Sequence, residues 1–131
     1  MNDDIHIGIK GSGSCMVNKD NTAKTMESGD LDVFATPSMI ALIEKTASNI
    51  VKPFLEEGKG TVGTMIQVNH TAATPIGVSV NCKCELVAID NRKLTFNATV
   101  YDEFDIIGSG THERFIIDNS KFMEKANKKQ S

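Results

Sequence analysis

One stretch of this sequence has the periodicity of a long amphipathic helix, and it determines what the rest of the chain must do. From 37 to about 52, apolar side chains recur at roughly 100° per residue. They are Met39, Ile40, Leu42, Ile43, Ala47, Ile50 and Val51. Thr36 stands at the predicted N-cap with Pro37 at N1, and Pro53 marks the end because the residue before a proline is disfavoured in a helix. The remaining segments must bury this apolar face.

The other patterned segments alternate with the period of strands. The predicted strands are 5–9 (continuing weakly towards Val17), 61–71, 78–86, 94–100 and 106–117. The turn at Asp90-Asn91 predicts that the third and fourth strands pair antiparallel. The polar stretch 18–32 is predicted to be a loop or lid, and the Lys-rich stretch 121–131 to be a frayed tail.

When an antiparallel sheet with one apolar face wraps around an apolar helix, both elements bury their apolar surfaces. The sequence therefore predicts an α+β fold of the hot-dog type, with an antiparallel sheet wrapped around one long central helix. We expect a single domain over 1–131, with a core of about 5–118 and a polar tail at 119–131. So small a sheet leaves exposed edges, which favours a homodimer that continues the sheet.

The composition argues against several classes of function. A chain of 131 residues with 40% hydrophobic content can bury one core but not two. A net charge of −3 and 5% aromatic residues offer little to phosphates or bases, so we expect no nucleic-acid binding. No apolar stretch approaches the roughly 18 residues of a membrane span. Three cysteines and a start, Met1-Asn2-Asp3-Asp4, without the pattern of a secretory signal predict a cytoplasmic protein.

Three polar residues stand where chemistry could take place. His70 lies beside the small residues 71–74, and Glu44 is an unexplained carboxylate at the edge of the apolar helical face. Together with Thr36 they supply a hydroxyl, a carboxylate and an imidazole for nucleophilic or acid–base catalysis. Simpler roles are open for each of them: Thr36 as a helix cap, His70 as a structural residue and Glu44 as an exposed ion-pair partner.

The spacing along the helix constrains how these groups can meet. Thr36 and Glu44 are eight residues apart, which corresponds to roughly 12 Å along one helix at about 1.5 Å per residue. Either Thr36 lies off the helix axis in the preceding turn, or the site combines residues from two chains of a dimer.

Five blocks of sequence occur in order between about Val33 and Ile117. They are Val33-Phe34-Ala35-Thr36, Met39 with Glu44 five positions later, Gly60-Thr61-Val62-Gly63-Thr64, His70-Thr71-Ala72-Ala73-Thr74-Pro75, and Gly108-Ser109-Gly110-Thr111-His112-Glu113-Arg114. Together they resemble the hot-dog thioesterases typified by fluoroacetyl-CoA thioesterase. The resemblance implies a dimer that hydrolyses acyl-CoA thioesters, with Thr36, Glu44 and His70 in its active site. It implies no metal, and no cofactor apart from the CoA of the substrate.

Substrate contacts are predicted around this site. Backbone N–H groups at the helix start or near Gly63 and Thr64 could bind the oxyanion that develops on the thioester. Arg114 could contact a CoA phosphate, although a solvated strand face or a dimer salt bridge would equally explain it. Cys82 and Cys84 lack the spacing of a zinc site and are predicted to pack in the core.

The resemblance departs at one segment. Shortly before the Phe-Ala-Thr block, the fluoroacetyl-specific enzyme has aromatic residues that help close its pocket. This chain has Glu27-Ser28-Gly29-Asp30-Leu31 in that segment. The departure predicts hydrolysis of some other short-chain acyl-CoA. Two alternatives stay open: a non-catalytic acyl-CoA-binding hot-dog protein, and a hot-dog dehydratase that uses a histidine with an acid.

Overall fold

The computed structural model describes residues 4–130. Residues 1–3, on which the expectation about a secretory signal partly rests, and residue 131 lie outside the described residues. The elements in chain order are β1 (Lys10–Met16), α1 (Thr36–Val51), β2 (Lys59–His70), β3 (Ser79–Asp90), β4 (Lys93–Asp102), β5 (Ile106–Asp118) and α2 (Asn119–Asn127), with short 3₁₀ turns at Lys52–Phe54 and Lys128–Gln130.

The strands form one sheet in the order β1-β3-β4-β5-β2, and each neighbouring pair is antiparallel. The 16-residue helix α1 contacts all five strands, so it lies across one face of the sheet. The predicted α+β hot-dog architecture is therefore confirmed. The antiparallel pairing of β3 with β4 through the turn at Asn91 is confirmed as well.

The core fills the space between α1 and the central strands. Alternation along β3 and β4 puts every second side chain under the helix, where apolar burial stabilises the fold. The fully buried side chains include Met39, Ile43, Val51, Val80, Leu86, Leu94, Phe96 and Val100. Cys82 and Cys84 are 0% and 2% exposed, which confirms that they pack in the core.

The first strand begins later than the sequence predicts. The alternating segment 5–9 is not a strand, because Gly8 has a φ of +101° and turns the chain just before β1. The glycines that follow form the strand because they let it approach α1. A Cβ at Gly11 would lie 2.6 Å from Cγ1 of Ile50, and one at Gly13 would lie 2.5 Å from Oγ1 of Thr46. Small residues are therefore required in the segment where the alternation of apolar residues is weakest.

The prediction of a frayed tail is wrong, because the chain continues into the helix α2. The Asp118 side chain accepts a hydrogen bond from the backbone N–H of Lys121 at 3.0 Å and caps this helix. None of its residues is buried, so an apolar stripe could not reveal it in the sequence. Among residues 4–130, no helix combines the length and apolar character needed to cross a membrane.

β1 and β2 are the two edge strands of the sheet, and β2 is the longer, with 12 residues. The pairing of β2 with β5 shifts register between Gly63 and Met65, which leaves Thr64 as the extra residue of a β-bulge. Ile66 and Val68 face the helix beyond the bulge, and Gly63 faces it before the bulge. The bulge thus changes which positions of β2 point towards α1.

Candidate active site

Thr36 and His70 are in contact although 34 residues separate them in the sequence. Thr36 is the first residue of α1 and His70 is the last residue of β2. The Thr36 hydroxyl Oγ1 lies 2.7 Å from Nδ1 of His70. Since a hydroxyl can donate to a neutral imidazole, the pair has the arrangement of a nucleophile or water-orienting group beside a base.

Backbone hydrogen bonds fix both residues of this pair. Phe34, two residues before Thr36, donates its N–H to the carbonyl of Thr74 at 2.8 Å. The Thr74 side chain is fully buried and donates to Oδ2 of Asp102 at 2.8 Å. On the other side, the N–H of Thr71 donates to the carbonyl of Ile107 at 2.8 Å. The segments before α1 and after β2 are therefore held against the β4–β5 hairpin.

The simplest explanation for Thr36, that it caps the helix, is wrong. The N-cap position is occupied by Ala35, and no side chain makes a capping hydrogen bond there. Pro37 follows within the first turn, where its missing N–H costs nothing. The helix begins one residue earlier than predicted, and the Thr36 hydroxyl is turned towards His70 instead of towards the helix backbone.

His70 is in an environment that favours its neutral form. Burial lowers the pKa of its imidazole from 6.5, and the nearby Ala72 carbonyl partly opposes this shift. When Nδ1 accepts from Thr36, the ring carries its proton on Nε2. This Nε2 is buried and has no hydrogen-bond partner of good geometry among residues 4–130. The Ala72 carbonyl lies near the ring without forming a hydrogen bond of good geometry to Nε2, so a better-placed acceptor would stabilise this N–H.

The Thr36–His70 pair opens into a shallow cavity of about 360 Å³. Its other walls are small or apolar and come from the loop before α1 and the segment after β2: Ala23, Ser28, Val33, Phe34, Thr71, Ala72 and Ala73. Larger depressions of about 490, 430 and 410 Å³ lie on the β1–β3–β4 strands, between β1 and α1, and on the β2–β5–β4 strands. None of the three contains Thr36, Glu44 or His70, so the smaller cavity is the relevant one.

Within one chain, Glu44 lies away from the Thr36–His70 pair. Its carboxylate Oε2 is 3.7 Å from Nη1 of Arg114 and faces Gly63 of β2. Gly63 and His70 are seven residues apart on the same strand, which corresponds to roughly 23 Å at about 3.3 Å per residue. The structure therefore brings Thr36 and His70 together but not Glu44. Glu44 is an exposed ion-pair partner within one chain, with a side chain 43% exposed.

A Cβ would not fit at Gly63 without displacing these groups. It would lie 2.8 Å from Oε2 of Glu44, 3.2 Å from Cε1 of His112 and 3.3 Å from Nη1 of Arg114. The glycine of this block therefore leaves room for the Glu44 carboxylate. Thr64, beside it, is exposed and its hydroxyl donates to the carbonyl of Glu113 at 3.3 Å.

Arg114 is buried, with 7% of its surface exposed. Its Nε donates to Oγ1 of Thr61 at 2.8 Å and its Nη2 to the Thr61 carbonyl at 3.0 Å. Burial lowers its pKa and the Glu44 carboxylate opposes this shift, although a guanidinium stays charged at neutral pH. The geometry favours the ion pair with Glu44 over contact with a CoA phosphate.

His112 is a buried polar residue of this region that the sequence reasoning missed. It is 1% exposed and lies on β5 between the sheet and α1. The signal was present, because His112 and Arg114 alternate in step with the helix-facing positions of β5. Among residues 4–130, no group of three or more His, Cys, Asp or Glu side chains is arranged to hold a metal ion.

Comparison with known proteins gives consistent results. The family model described as fluoroacetyl-CoA-specific thioesterase matches residues 17–120. The fluoroacetyl-CoA thioesterase of Streptantibioticus cattleyicolor is 44% identical over 98 residues, which cover 75% of this chain and 70% of that protein.

Solved structures show the same similarity. The crystal structure of a point mutant of the fluoroacetyl-CoA-specific thioesterase superimposes with a TM-score of 0.92 at 35% identity, covering 98% of this chain and 99% of that one. A second mutant of that enzyme, in complex with acetyl-CoA, superimposes with a TM-score of 0.92 at 34% identity, covering 97% and 100%. A thioesterase superfamily member from Thermus thermophilus has a TM-score of 0.89 at 25% identity, covering 96% and 93%.

Proposed function

The chain belongs to the family of fluoroacetyl-CoA-specific thioesterases, and from this premise we propose that it hydrolyses short-chain acyl-CoA thioesters to the free acid and CoA. The observation that carries the proposal is the 2.7 Å contact between Thr36 and His70 at the edge of a cavity with small walls. The reaction needs no cofactor apart from the CoA of the substrate.

Each proposed catalytic group has a defined task. Neutral His70 accepts a proton from the attacking oxygen, which is either the Thr36 hydroxyl or a water that this hydroxyl orients, and returns it to the CoA sulfur as the C–S bond breaks. If Thr36 attacks, water activated in the same way then releases the acid from the Thr36 ester. Glu44 accepts the hydrogen bond of His70 Nε2–H and stabilises the imidazolium that forms. The backbone at Gly63 and Thr64, where the bulge interrupts the ladder, supplies donors for the thioester oxyanion. The tight Thr36–His70 hydrogen bond supports the first of these tasks.

The separation of Glu44 from His70 leads us to propose a composite site in a homodimer. A second copy of β2 paired antiparallel with the first would run in the opposite direction, so its Gly63 end would lie beside the His70 end of this chain. The midpoint of 63 and 70 falls between Ile66 and Gln67 of β2. A two-fold axis near Gln67 would thus bring the partner's Glu44 carboxylate towards the unpartnered Nε2.

The bulge at Thr64 makes this register consistent with the faces of the sheet. Directly opposed residues of an antiparallel pair point to the same face. With the axis at Gln67, Ile66 opposes Val68 of the other copy, and both side chains face the helix. One extra residue before Met65 then puts Gly63 opposite His70, and both of these also face the helix. Without the extra residue, Gly63 would not lie opposite His70 on the helix-facing side of the sheet.

The character of β2 supports this pairing. It is a 12-residue edge strand, and it carries no charged residue and no proline from Gly60 to Asn69. Edge strands that stay unpaired are usually protected by such residues. We therefore propose that the free edge of β2 is the dimer interface, and that the active unit carries two sites.

Subunit mixing tests the composite site. A heterodimer of Thr36→Ala and Glu44→Ala chains should contain one intact site and regain about half of the wild-type activity, although both homodimers are inactive. The matched control pairs Thr36→Ala with His70→Ala, because these residues belong to the same half-site and every site in that heterodimer stays damaged. Absence of activity in the first purified heterodimer, despite two folded chains, would refute the shared arrangement.

A cross-link tests the register itself. In a background without the partly exposed Cys15, Gln67→Cys should form a disulfide-linked dimer under mild oxidation, because opposed Cα atoms lie about 5 Å apart. Met65→Cys is the control, since its two copies would be roughly 13 Å apart at about 3.3 Å per residue. Cross-linking of the control instead of Gln67→Cys would exclude this register.

The acyl group follows from the walls of the cavity. Ser28, from the segment that differs from the fluoroacetyl-specific enzyme, lines one side together with Ala23, and Ala72 and Ala73 line the other side. These small side chains leave space for short acyl groups larger than fluoroacetyl, which we propose as the substrates. A panel of short acyl-CoAs assayed for free thiol tests this, with continued release over many equivalents of substrate expected. Binding without release would indicate an acyl-CoA-binding protein instead.

We also propose that the enzyme works in the cytoplasm. All three cysteines are free, and Cys82 and Cys84 are buried thiols, as is usual in a reducing compartment. Fractionation of cells that express the tagged full-length chain, with activity recovered outside the cytosolic fraction, would contradict this location.

A further inference from the structure

The arginine that faces Glu44 depends for its own orientation on a buried histidine. His112 is 1% exposed, and its ring lies at 6.3 Å from that of Phe96, with an angle of 30° between the planes. Its Nδ1 is 2.8 Å from the carbonyl oxygen of Met65, and its Nε2 is 3.2 Å from Nη1 of Arg114. Both ring nitrogens are therefore engaged.

The chemistry of the two partners fixes the state of the ring. A carbonyl oxygen only accepts hydrogen bonds, so Nδ1 must carry a proton and donate to Met65. A guanidinium only donates, so Nε2 must be unprotonated and accept from Arg114. His112 is thus neutral, in the Nδ1–H form. Burial lowers the pKa of His112, and Arg114 adds to the shift. The hydrogen bond to the Met65 carbonyl and the charges of Glu44 and Glu113 partly oppose it.

The guanidinium of Arg114 has a fixed direction for each nitrogen. Nε and Nη2 donate to the side chain and carbonyl of Thr61, and Nη1 donates to His112 while it lies 3.7 Å from Glu44. A planar fork held at three nitrogens cannot rotate without breaking a buried hydrogen bond, which costs more than an exposed one. Nη1 is the nitrogen that links the histidine to the carboxylate.

We propose that His112 is a positioning residue for Glu44. As a neutral acceptor it holds Nη1 of Arg114 on the side of the carboxylate, and Arg114 in turn sets the direction in which Glu44 points. His112 touches no reacting atom. The consequence for catalysis rests on the proposed function, whereas the orientation of Arg114 can be measured without any substrate.

Two amide substitutions separate this role from a role in packing. In His112→Gln the longer side chain can present its carbonyl oxygen to Arg114, while in His112→Asn the shorter amide can donate to Met65 but does not reach Arg114. We expect His112→Asn to lower kcat by about 10- to 100-fold with KM little changed, because a misplacement near 1 Å has a cost of this order. His112→Gln should stay within about threefold of wild type.

Thermal melts of both variants accompany the kinetics. Equal losses of kcat in two folded variants of similar Tm would overturn the proposal, since a packing role does not distinguish which nitrogen is replaced. A loss confined to His112→Gln would overturn it as well, because the bond to Met65 would then be the important one.

A spectroscopic measurement tests the geometry independently of turnover. In ¹⁵N-labelled wild-type protein, His112 should show the Nδ1–H form at pH 7 and should titrate below the ordinary imidazole value of 6.5. Separate Arg114 Nη signals, a sign of slow rotation, should persist in His112→Gln and exchange faster in His112→Asn, where only the bonds to Thr61 hold the guanidinium. A wild-type protein with these signals but no thioester hydrolysis would refute the proposed function and leave the positioning intact. An Nε2–H ring, or averaged Arg114 signals in the wild type, would refute the positioning.

Discussion

Substituting Gly63 by alanine should disable the site with little effect on the fold. The added Cβ would lie 2.8 Å from Oε2 of Glu44, and an ordinary contact begins near 3.4 Å, so the carboxylate must move by about 0.6 Å. The φ angle of Gly63 is not positive, so alanine meets no backbone strain there. Because misplacements near 1 Å can cost about 100-fold in rate, we expect kcat to fall by roughly 10- to 100-fold.

The stability cost of this substitution should be modest. Overpacking by a methyl group typically costs about 1–3 kcal/mol, and the flexible end of Glu44 can yield. For a domain of this size that corresponds to a Tm lower by roughly 3–12 °C. Free-thiol release with a short acyl-CoA measures kcat, and a thermal melt measures the fold.

Gly60→Ala is the matched control on the same strand. Its Cβ would lie 2.6 Å from Oδ1 of Asn119, an exposed side chain outside the candidate site. The steric change is similar, but no catalytic group has to move, so kcat should stay near wild type. The reasoning would be refuted by a folded Gly63→Ala protein with wild-type kcat, or by equal losses of kcat in the two variants.

Three further predictions concern Thr36, the imidazoles and Asp102. Thr36→Val should lower kcat/KM by at least about 100-fold while Tm changes by less than about 3 °C, because this hydroxyl caps no helix. Thr36→Ser is the control and should stay active. An active Thr36→Val protein would remove the hydroxyl from the mechanism. Since burial lowers the pKa of His70 from 6.5, the acid limb of kcat/KM measured against pH should be centred below that value. For His70 and His112 the unfolded state binds more protons, so the free energy of unfolding should also fall as pH drops below about 6.5; an acid limb centred well above 6.5 would contradict both statements. Asp102→Ala should cost about 1–3 kcal/mol in urea titrations, because it leaves the buried Thr74 hydroxyl without its acceptor, and an unchanged midpoint would show that this hydrogen bond is dispensable.

Periodicity predicted most of the architecture, because it reports which side chains face a core. The helix α1 and the strands β2 to β5 follow from it to within a few residues. It failed where another constraint decided the structure. β1 is shaped by the close approach of α1 to Gly11 and Gly13, and α2 is held by a cap with no buried face.

The site was harder to predict than the fold, because sequence patterns do not report distances between elements. The sequence offered Thr36, Glu44 and His70 as candidates, but the contact of Thr36 with His70 and the distance of Glu44 from both depend on how α1 crosses β2. His112 was missed because the alternation that puts it on the helix-facing side of β5 runs through polar residues, which by themselves do not suggest burial.

The two edges of the sheet differ in a way that bears on how assembly stops. β1 has seven residues, of which four are glycine or serine, and such a strand is a poor template for another chain. β2 is long and uncharged from Gly60 to Asn69, and it is the edge that we propose to pair with a second copy. A sheet in which both edge strands could pair with other chains would add copies without limit and grow into a fibre. When only one edge strand pairs, with its own copy about a two-fold axis, the assembly is closed at two chains. In the proposed dimer, the glycines that let β1 lie close to the helix would also terminate growth of the sheet, and strengthening β1 with β-branched residues would risk polymerisation.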